Sequence, residues 1–362
     1  MSGTSLDGLD IAYCEFLLED KIIRYKILYA ETLPYPAEMS QRLETGIHMS
    51  GLELSLLNND LGTWMGNQCL NFINKNRIKP DFISSHGHTI YHQPEKELTM
   101  QIGGGNIIHA ITKIPVVFDF RTLDIALGGQ GAPLVPIGDE LLFPQYQICL
   151  NLGGFANISF NDGKNRKAYD IGAINIVLNK LAQKIGYEYD SEGQIAQSGS
   201  TIQELSEELD RILYYSQPWP KSLGKEWVDN KIMPLIDHYQ DHKIEDILHT
   251  YSNHIANRIA TDINHLKNAI FEGVPIRILI TGGGAYNKYV ITSIRNLLVP
   301  GIEIIIPEDI IVAYKESLIF ALMGLLRIKG LPNCLQSVTG AKYNHCSGIV
   351  VGPIKSIKQE QV

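Results

Sequence analysis

The chain has 362 residues, 44% of them hydrophobic and 19% charged, with a formal net charge of −8 and an isoelectric point near 5.8. That composition excludes a disordered or fibrous chain, and the length exceeds one ordinary core, so two lobes with a cleft between them are expected. The acidic balance argues against a nucleic-acid or anionic-membrane partner, which leaves any anionic substrate to loops and a few basic side chains.

The opening residues 1–10 read Met-Ser-Gly-Thr-Ser-Leu-Asp-Gly-Leu-Asp. Gly3 and Gly8 give backbone freedom, Thr4 and Ser5 offer donors, and Asp7 and Asp10 can hold a metal or a sugar hydroxyl. A donor-rich loop joined to a buried strand can cradle phosphate, because unpaired amides there act as fixed partial positive charges. The alternative for the same residues is an ordinary hairpin turn. Residues 11–18 and 22–33 form a hairpin broken at Glu19-Asp20-Lys21 and ended by Pro34 and Pro36. A long helical stretch is expected over 37–77, with interruptions at Asn58, Asn59 and Gly62. Residues 81–88 read as a short strand running into a polar turn, residues 101–110 as a glycine turn starting a helix, and residues 115–121 as a buried strand carrying Asp119 and Arg121 at its carboxyl end.

The second half begins as the first does. A strand over 147–152 meets Gly153-Gly154, a return strand covers 155–160, a further strand ends at Asp170, and a helix follows over about 174–185. Residues 190–230 read as irregular connections around a helix near 200–214, and a long helix follows over about 243–270. A strand at 276–281 then runs into Gly282-Gly283-Gly284 and a helix from about Asn287, an arrangement that lets backbone approach a flat or anionic ligand. The last helix, near 313–329, carries Glu316.

Three glycine corners spaced across two lobes favour a nucleotide held at its phosphates by two hairpins and at its adenosine by the third loop. Each corner alone is equally readable as structural. Asp170 before a glycine and a helix can serve as a general base, or it can cap the helix that follows. The run Asp119, Arg121, Asp124 and residues 128–133 suits a sugar-binding wall, against a plain strand end with a salt bridge. His86, His88 and His92 lack the register and companions of a zinc site and read as substrate-loop or packing residues. Five scattered cysteines (Cys14, Cys69, Cys149, Cys334, Cys346) with no Cys-x-x-Cys pair read as buried thiols in a reducing compartment. No apolar run spans a bilayer and no secretory signal pattern opens the chain, so a cytoplasmic protein is expected.

Residues 1–10, Ser-His-Gly-His-Thr (85–89), Gln-Ile-Gly (101–103), Asp-Phe-Arg (119–121), Gly-Gly-Gln-Gly-Ala-Pro-Leu-Val-Pro (128–136), Asn-Leu-Gly-Gly-Phe-Ala-Asn (151–157), Gly-Gly-Gly (282–284) and Ser-Val-Thr-Gly-Ala (337–341) together closely resemble the anhydro-N-acetylmuramic acid kinases. The resemblance implies an α/β fold: a two-lobed actin-like ATPase, a ribonuclease H-like duplication with an interlobe cleft. Residues 1–140 would form the first lobe and 141–362 the second, with the last helix packing back on the first. It implies hydrolytic opening of 1,6-anhydro-N-acetylmuramic acid and phosphorylation of its 6-oxygen in cell-wall recycling, with ATP and Mg²⁺. Asp170 matches the catalytic base. Gly3, Thr4, Ser5, Leu6, Asp7, Gly8 and Asp10 match the ATP loop, Asn151, Gly153 and Gly154 the second phosphate loop, and Gly282, Gly283 and Gly284 the adenosine loop. Asp119, Arg121, Gln130, Glu316 and His86 fall to the amino-sugar substrate. A homodimer is expected by analogy.

The sequence departs from the family pattern in four places. A strand usually precedes the opening motif, whereas here the chain starts at Met1, so either the start is trimmed or miscalled or the first lobe has a gap. Ile-Gly-Ala-Ile-Asn follows Asp170 in place of Thr-Gly-Pro-Gly-Asn, His88 stands where Gln is usual, and Gly138-Asp139 where Phe-His is usual. A relative that binds ATP or an amino sugar without turnover, and a kinase for another sugar, are the competing readings.

Overall fold

A computed structural model of the chain describes residues 1–3, 8–19 and 22–354; Thr4, Ser5, Leu6 and Asp7 of the opening loop lie outside the described residues. The strands are β1 (Leu9–Glu19), β2 (Ile22–Leu33), β3 (Ile83–Ser85), β4 (His88–Gln93), β5 (Leu98–Ile102), β6 (Val116–Phe118), β7 (Ile148–Leu152), β8 (Phe155–Asn161), β9 (Arg166–Ala173), β10 (Ile276–Thr281), β11 (Ile302–Ile305) and β12 (Ile349–Val351). The chain divides into two compact units, one of Met1–Phe143 with Tyr314–Val362, the other of Pro144–Ala313.

In the first unit, β1 and β2 form an antiparallel hairpin, β3 pairs parallel to β6 with β12 antiparallel on its far side, and β4 and β5 form a second hairpin. The helix Gly51–Asn76 turns Leu54, Leu57, Leu61 and Met65 inward at helical spacing, against Ile102 and Ile108. Its start is fixed by Ser50, whose hydroxyl accepts from the amide of Glu53 while the Glu53 carboxylate accepts from the amide of Ser50. The expected single helix over 37–77 is therefore two, Ala37–Thr45 and Gly51–Asn76, broken at residues 46–50. Asn58, Asn59 and Gly62 lie inside the second; Gly62 is there because a Cβ would come within 3.0 Å of the backbone of Gly104.

In the second unit, β7, β8 and β9 form an antiparallel meander, and β10 and β11 add in parallel on the other side of β7. Counted from β7 the order across the sheet is 3-2-1-4-5, the ribonuclease H-like arrangement. The alternate residues Ile148, Leu150 and Leu152 of β7 join the same core as Tyr251, Ile255 and Ile259 of the helix Ile244–Ala269. The other face of β7 therefore carries Cys149 and Asn151.

All five cysteines are free thiols, Cys149 and Cys334 buried and the other three half-buried. Among the described residues no helix is long and apolar enough to cross a membrane.

Candidate active site

In the second unit the sheet register brings polar residues into one row. Thr281 of β10 is paired with Asn151 of β7, Asn151 with Asn157 of β8, and Asn157 with Asp170 of β9. Paired residues on neighbouring strands share a face, so these four side chains project from the sheet together, Asp170 about 10 Å from Asn151 across two strand spacings. Asn157 and Thr281 carry no local signal of a role in the sequence; only the register reveals them as neighbours of Asp170 and Asn151.

Asp170 is held on three sides. Its carboxylate accepts from the amide of Leu223 at 2.9 Å, its own amide donates to the carbonyl of Lys221 at 3.1 Å, and its carbonyl accepts from the Tyr214 hydroxyl at 2.7 Å. Burial pushes its pKa up to about 6, with the Leu223 amide opposing. It does not cap the next helix, Asn175–Gln183, whose N-cap is Ile174. That helix is tied instead by Asn175, whose side-chain amide donates to the carbonyl of Leu152 at 3.0 Å. In the departed run after Asp170, Gly172 is required by packing, since a Cβ would lie 2.6 Å from the Ile255 side chain.

The two glycine corners of this unit meet at the end of β7. Gly282 has φ +82, and a Cβ there would lie 2.7 Å from Asn151 Oδ1 and 2.8 Å from the carbonyl carbon of Leu152. At Gly284 a Cβ would come within 2.7 Å of Leu152 Cβ, whereas at Gly283 the nearest atom is 3.8 Å away. Gly282→Ala is accordingly expected to cost about 1–3 kcal/mol in a thermal melt, and Gly283→Ala to change little. Gly154 anchors the helix start through its carbonyl, which accepts from Ile174 at 2.9 Å, and the carbonyl of Gly153 accepts from Asn175 at 3.4 Å.

In the first unit His86, Arg121 and Gly131 are linked. Arg121 Nε donates to His86 Nε2 at 3.0 Å and its Nη1 to the Gly131 carbonyl at 2.5 Å. His86 Nδ1 faces the Gly87 carbonyl at 2.9 Å and must donate to it, which fixes the tautomer that leaves Nε2 as the acceptor. Burial, with the Arg121 charge beside it, holds the His86 pKa well below its ordinary value. Burial also lowers Arg121 to about 10, while Glu316 and Asp124 favour its charged form. Glu316 is pushed up by burial, Arg121 and Lys315 opposing and Asp10 adding to the rise.

His86 and Asp119 line a cavity of about 280 Å³ together with Asn58, Gln101, Asn106 and Thr122. Asp119 has φ +56 and accepts from the amide of Thr122 at 3.2 Å. Gln130 is exposed, its amide bonded to the Thr339 carbonyl, and neither it nor Glu316 lines this cavity.

Asp124 belongs to no open wall. It is fully buried and accepts from Gly131 N, Thr339 Oγ1 and His345 Nε2, each at 2.7 Å. Cys334 lies beside this group. With its lone pairs committed, Asp124 pins the 128–131 loop to the 333–347 segment, a structural hub. His88 is buried, its Nδ1 2.8 Å from the Ser2 hydroxyl, which in turn accepts from Tyr35 at 2.5 Å; burial lowers the His88 pKa to about 4. Gly8, near the opening loop, has φ +152 and no room for a Cβ, which would lie 2.5 Å from the Leu33 carbonyl oxygen. Asp10 pairs with Thr32, whose hydroxyl donates to its carboxylate at 2.6 Å.

A ribonuclease H-like sheet whose central strands end in glycine corners, with a half-buried carboxylate two strands away, suits an α/β phosphotransferase. The chain matches the family described as anhydro-N-acetylmuramic acid kinase over residues 1–352, and it belongs to that family. Its curated relatives include the anhydro-N-acetylmuramic acid kinases of Francisella tularensis subsp. novicida, 34% identical over 98% of this chain and 97% of that protein, and of Haemophilus influenzae, 32% identical over 94% of each. That of Bacillus cereus is 30% identical over 98% of each chain. Solved structures lie further off: a hexokinase from Schistosoma mansoni complexed with glucose has TM-score 0.38 and 11% identity, covering 84% of this chain and 81% of that one, too distant to carry an argument.

Proposed function

We propose that the protein uses ATP and water to convert 1,6-anhydro-N-acetylmuramic acid into N-acetylmuramic acid 6-phosphate and ADP. Asp170 takes a proton from a water molecule as its oxygen bonds to C1. The C1–O6 bond breaks, and O6 takes the γ-phosphoryl group as ADP leaves. The proton on Asp170 then passes to solvent.

The observation that carries this reading is Asp170 itself: a carboxylate whose buried setting raises its pKa to about 6, close enough to neutrality for a base that is ionised yet strong. The loop residues Lys221 and Leu223 and the Tyr214 hydroxyl hold it by backbone and side chain, which limits its freedom before substrate arrives. Residues 3–10, with Asn151, Gly153 and Gly154, would meet the phosphates and Gly282–Gly284 the adenosine. Asp10 and Glu316, of which the first adds to the burial-driven rise of the Glu316 pKa, fit the oxygen preference of Mg²⁺, which when bound would neutralise charge on the triphosphate.

The cavity lined by His86 and Asp119 suits one sugar ring, and Arg121 stiffens it through His86. Asp119→Asn keeps a residue type at home at positive φ while removing the charge. The expected result is a KM for the sugar raised about 10-fold or more, with the KM for ATP unchanged. The reading as a whole is tested with γ-labelled ATP, Mg²⁺ and the anhydro sugar. It predicts one labelled sugar phosphate per ADP; nucleotide binding with no phosphosugar formed would contradict it.

A further inference from the structure

In the second unit β9 is an edge strand, so its outer backbone groups need partners from elsewhere. Residues 217–224, which form neither helix nor strand, run along that edge as a strap. The Asp170 amide donates to the Lys221 carbonyl at 3.1 Å, and two residues further on the Leu223 amide donates to the Asp170 carboxylate at 2.9 Å. Both contacts come from the backbone of the strap. What aims the carboxylate is therefore whatever fixes the strap.

One side chain of the strap is gripped on several sides. Lys221 Nζ lies 4.8 Å from the centroid of the Tyr214 ring and 5.5 Å from that of Tyr169, and it donates to the Tyr214 carbonyl at 3.4 Å. Burial lowers the Lys221 pKa, and the charge of Asp262, on the helix Ile244–Ala269, opposes that fall. Asp262 also accepts from the Tyr169 hydroxyl, and His265 and Arg258 of its own helix face it as well. An ammonium between two rings and a carboxylate is held by an attraction that strengthens as water is excluded. Tyr169 packs in the core with that helix, whereas Asp170, next along the strand, points to the opposite face of the sheet. The ammonium thus stands on the helix side and the carboxylate on the other. Lys221 can reach the base only through the strap that crosses the edge between them.

We propose that Lys221 is a positioning residue for the general base: its ammonium, held between the Tyr169 and Tyr214 rings and drawn by Asp262, locks the strap to the edge of β9 and keeps the Leu223 amide on the Asp170 carboxylate. The role of Asp170 as base rests on the kinase reading; the grip of the strap on its carboxylate does not, and is measurable without turnover. With the clamp released, the Leu223 amide leaves and water reaches the carboxylate. Orientation and the burial that raises its pKa are then lost together. Because Lys221 touches no reacting atom, the loss falls on kcat rather than on either KM.

Lys221→Met keeps the stem and removes the charge, and Lys221→Arg keeps a cation for the rings. The Met variant is expected to lower kcat about 10–100-fold with both KM values unchanged and to speed hydrogen exchange at the Leu223 amide about tenfold. It should also move the Asp170 carboxyl titration, followed by ¹³C NMR, from about 6 down toward the ordinary carboxylate range, the acid limb of kcat moving with it. The Arg variant should recover most of each change. Asp262→Asn should act in the same direction and, combined with Lys221→Met, add nothing further, since the two groups form one clamp. A fall in Tm with the Leu223 exchange and the Asp170 titration unchanged would make Lys221 a structural residue and overturn the proposal. So would a raised sugar KM at unchanged kcat, the sign of a binding residue. Should the unaltered protein form no sugar phosphate, the kinase reading fails, while exchange and titration still decide the clamp.

Discussion

Asp170→Asn is expected to bind ATP as the unaltered protein does and to form sugar phosphate about 10²–10⁴-fold more slowly, the usual contribution of a general base. The asparagine keeps an oxygen for the Leu223 amide, so the loop that holds position 170 survives. In the unaltered protein the rate should fall on the acid side with an apparent pKa near 6, because the base works only when ionised and burial raises its pKa to about 6. The stability effect runs the other way. A carboxylate whose folded pKa is raised contributes stability that is full below its unfolded pKa and is lost as pH rises through the folded value. Asp170→Asn should therefore melt higher than the unaltered protein at pH 8, with the gain shrinking through pH 6 and gone near pH 4. A gain in stability with a loss of rate is the mark of a residue kept for chemistry. Near-normal turnover in this variant would remove Asp170 from the mechanism.

Breaking the buried ion pair of the first unit is expected to have the largest effect on stability. Lys315 Nζ lies 2.6 Å from Asp139 Oδ1, each side chain only 5% exposed. Lys315 also lies over the Phe143 ring, 5.4 Å from its centroid. Asp139→Leu leaves the ammonium buried without this carboxylate and should cost about 3–5 kcal/mol, a Tm fall of roughly 10 °C. Combining it with Lys315→Met should restore most of the loss, because a buried pair is often replaceable by apolar residues of similar size. The neighbouring Gly138 belongs to the same adjustment: a Cβ there would lie 2.3 Å from Ile319 Cγ1. Gly138-Asp139, where the family usually has Phe-His, thus pairs with the helix carrying Lys315 and Ile319. An unchanged melt for the single Leu variant would show that the pair contributes nothing.

What the sequence made legible were features carried by local chemistry. The run Ile276–Thr281 into three glycines, the meander around Gly153-Gly154 and the helix Ile244–Ala269 stand close to where periodicity and turn residues put them. Asn58, Asn59 and Gly62 misled because they imitate a helix break, while the capping box at Ser50 and Glu53 marks the real start. The hairpin of β4 and β5 is masked in the sequence because His88 and Gln101 stand beside glycines that read as turns, although Pro94-Glu95-Lys96 between them is the turn. The row Thr281, Asn151, Asn157 and Asp170 needs the register of four strands, which no local pattern encodes. Likewise Asp124 reads as a ligand in a polar run, and only the distant residues Thr339 and His345 reveal it as a hub.

The most direct measurement is a rapidly quenched turnover of the anhydro sugar with ATP in water enriched in ¹⁸O. Water attacking C1 under the control of Asp170 puts one ¹⁸O on C1 of the sugar phosphate and none in its phosphoryl group. Label in the phosphoryl group, or a phosphosugar whose C1 carries none, would contradict the mechanism.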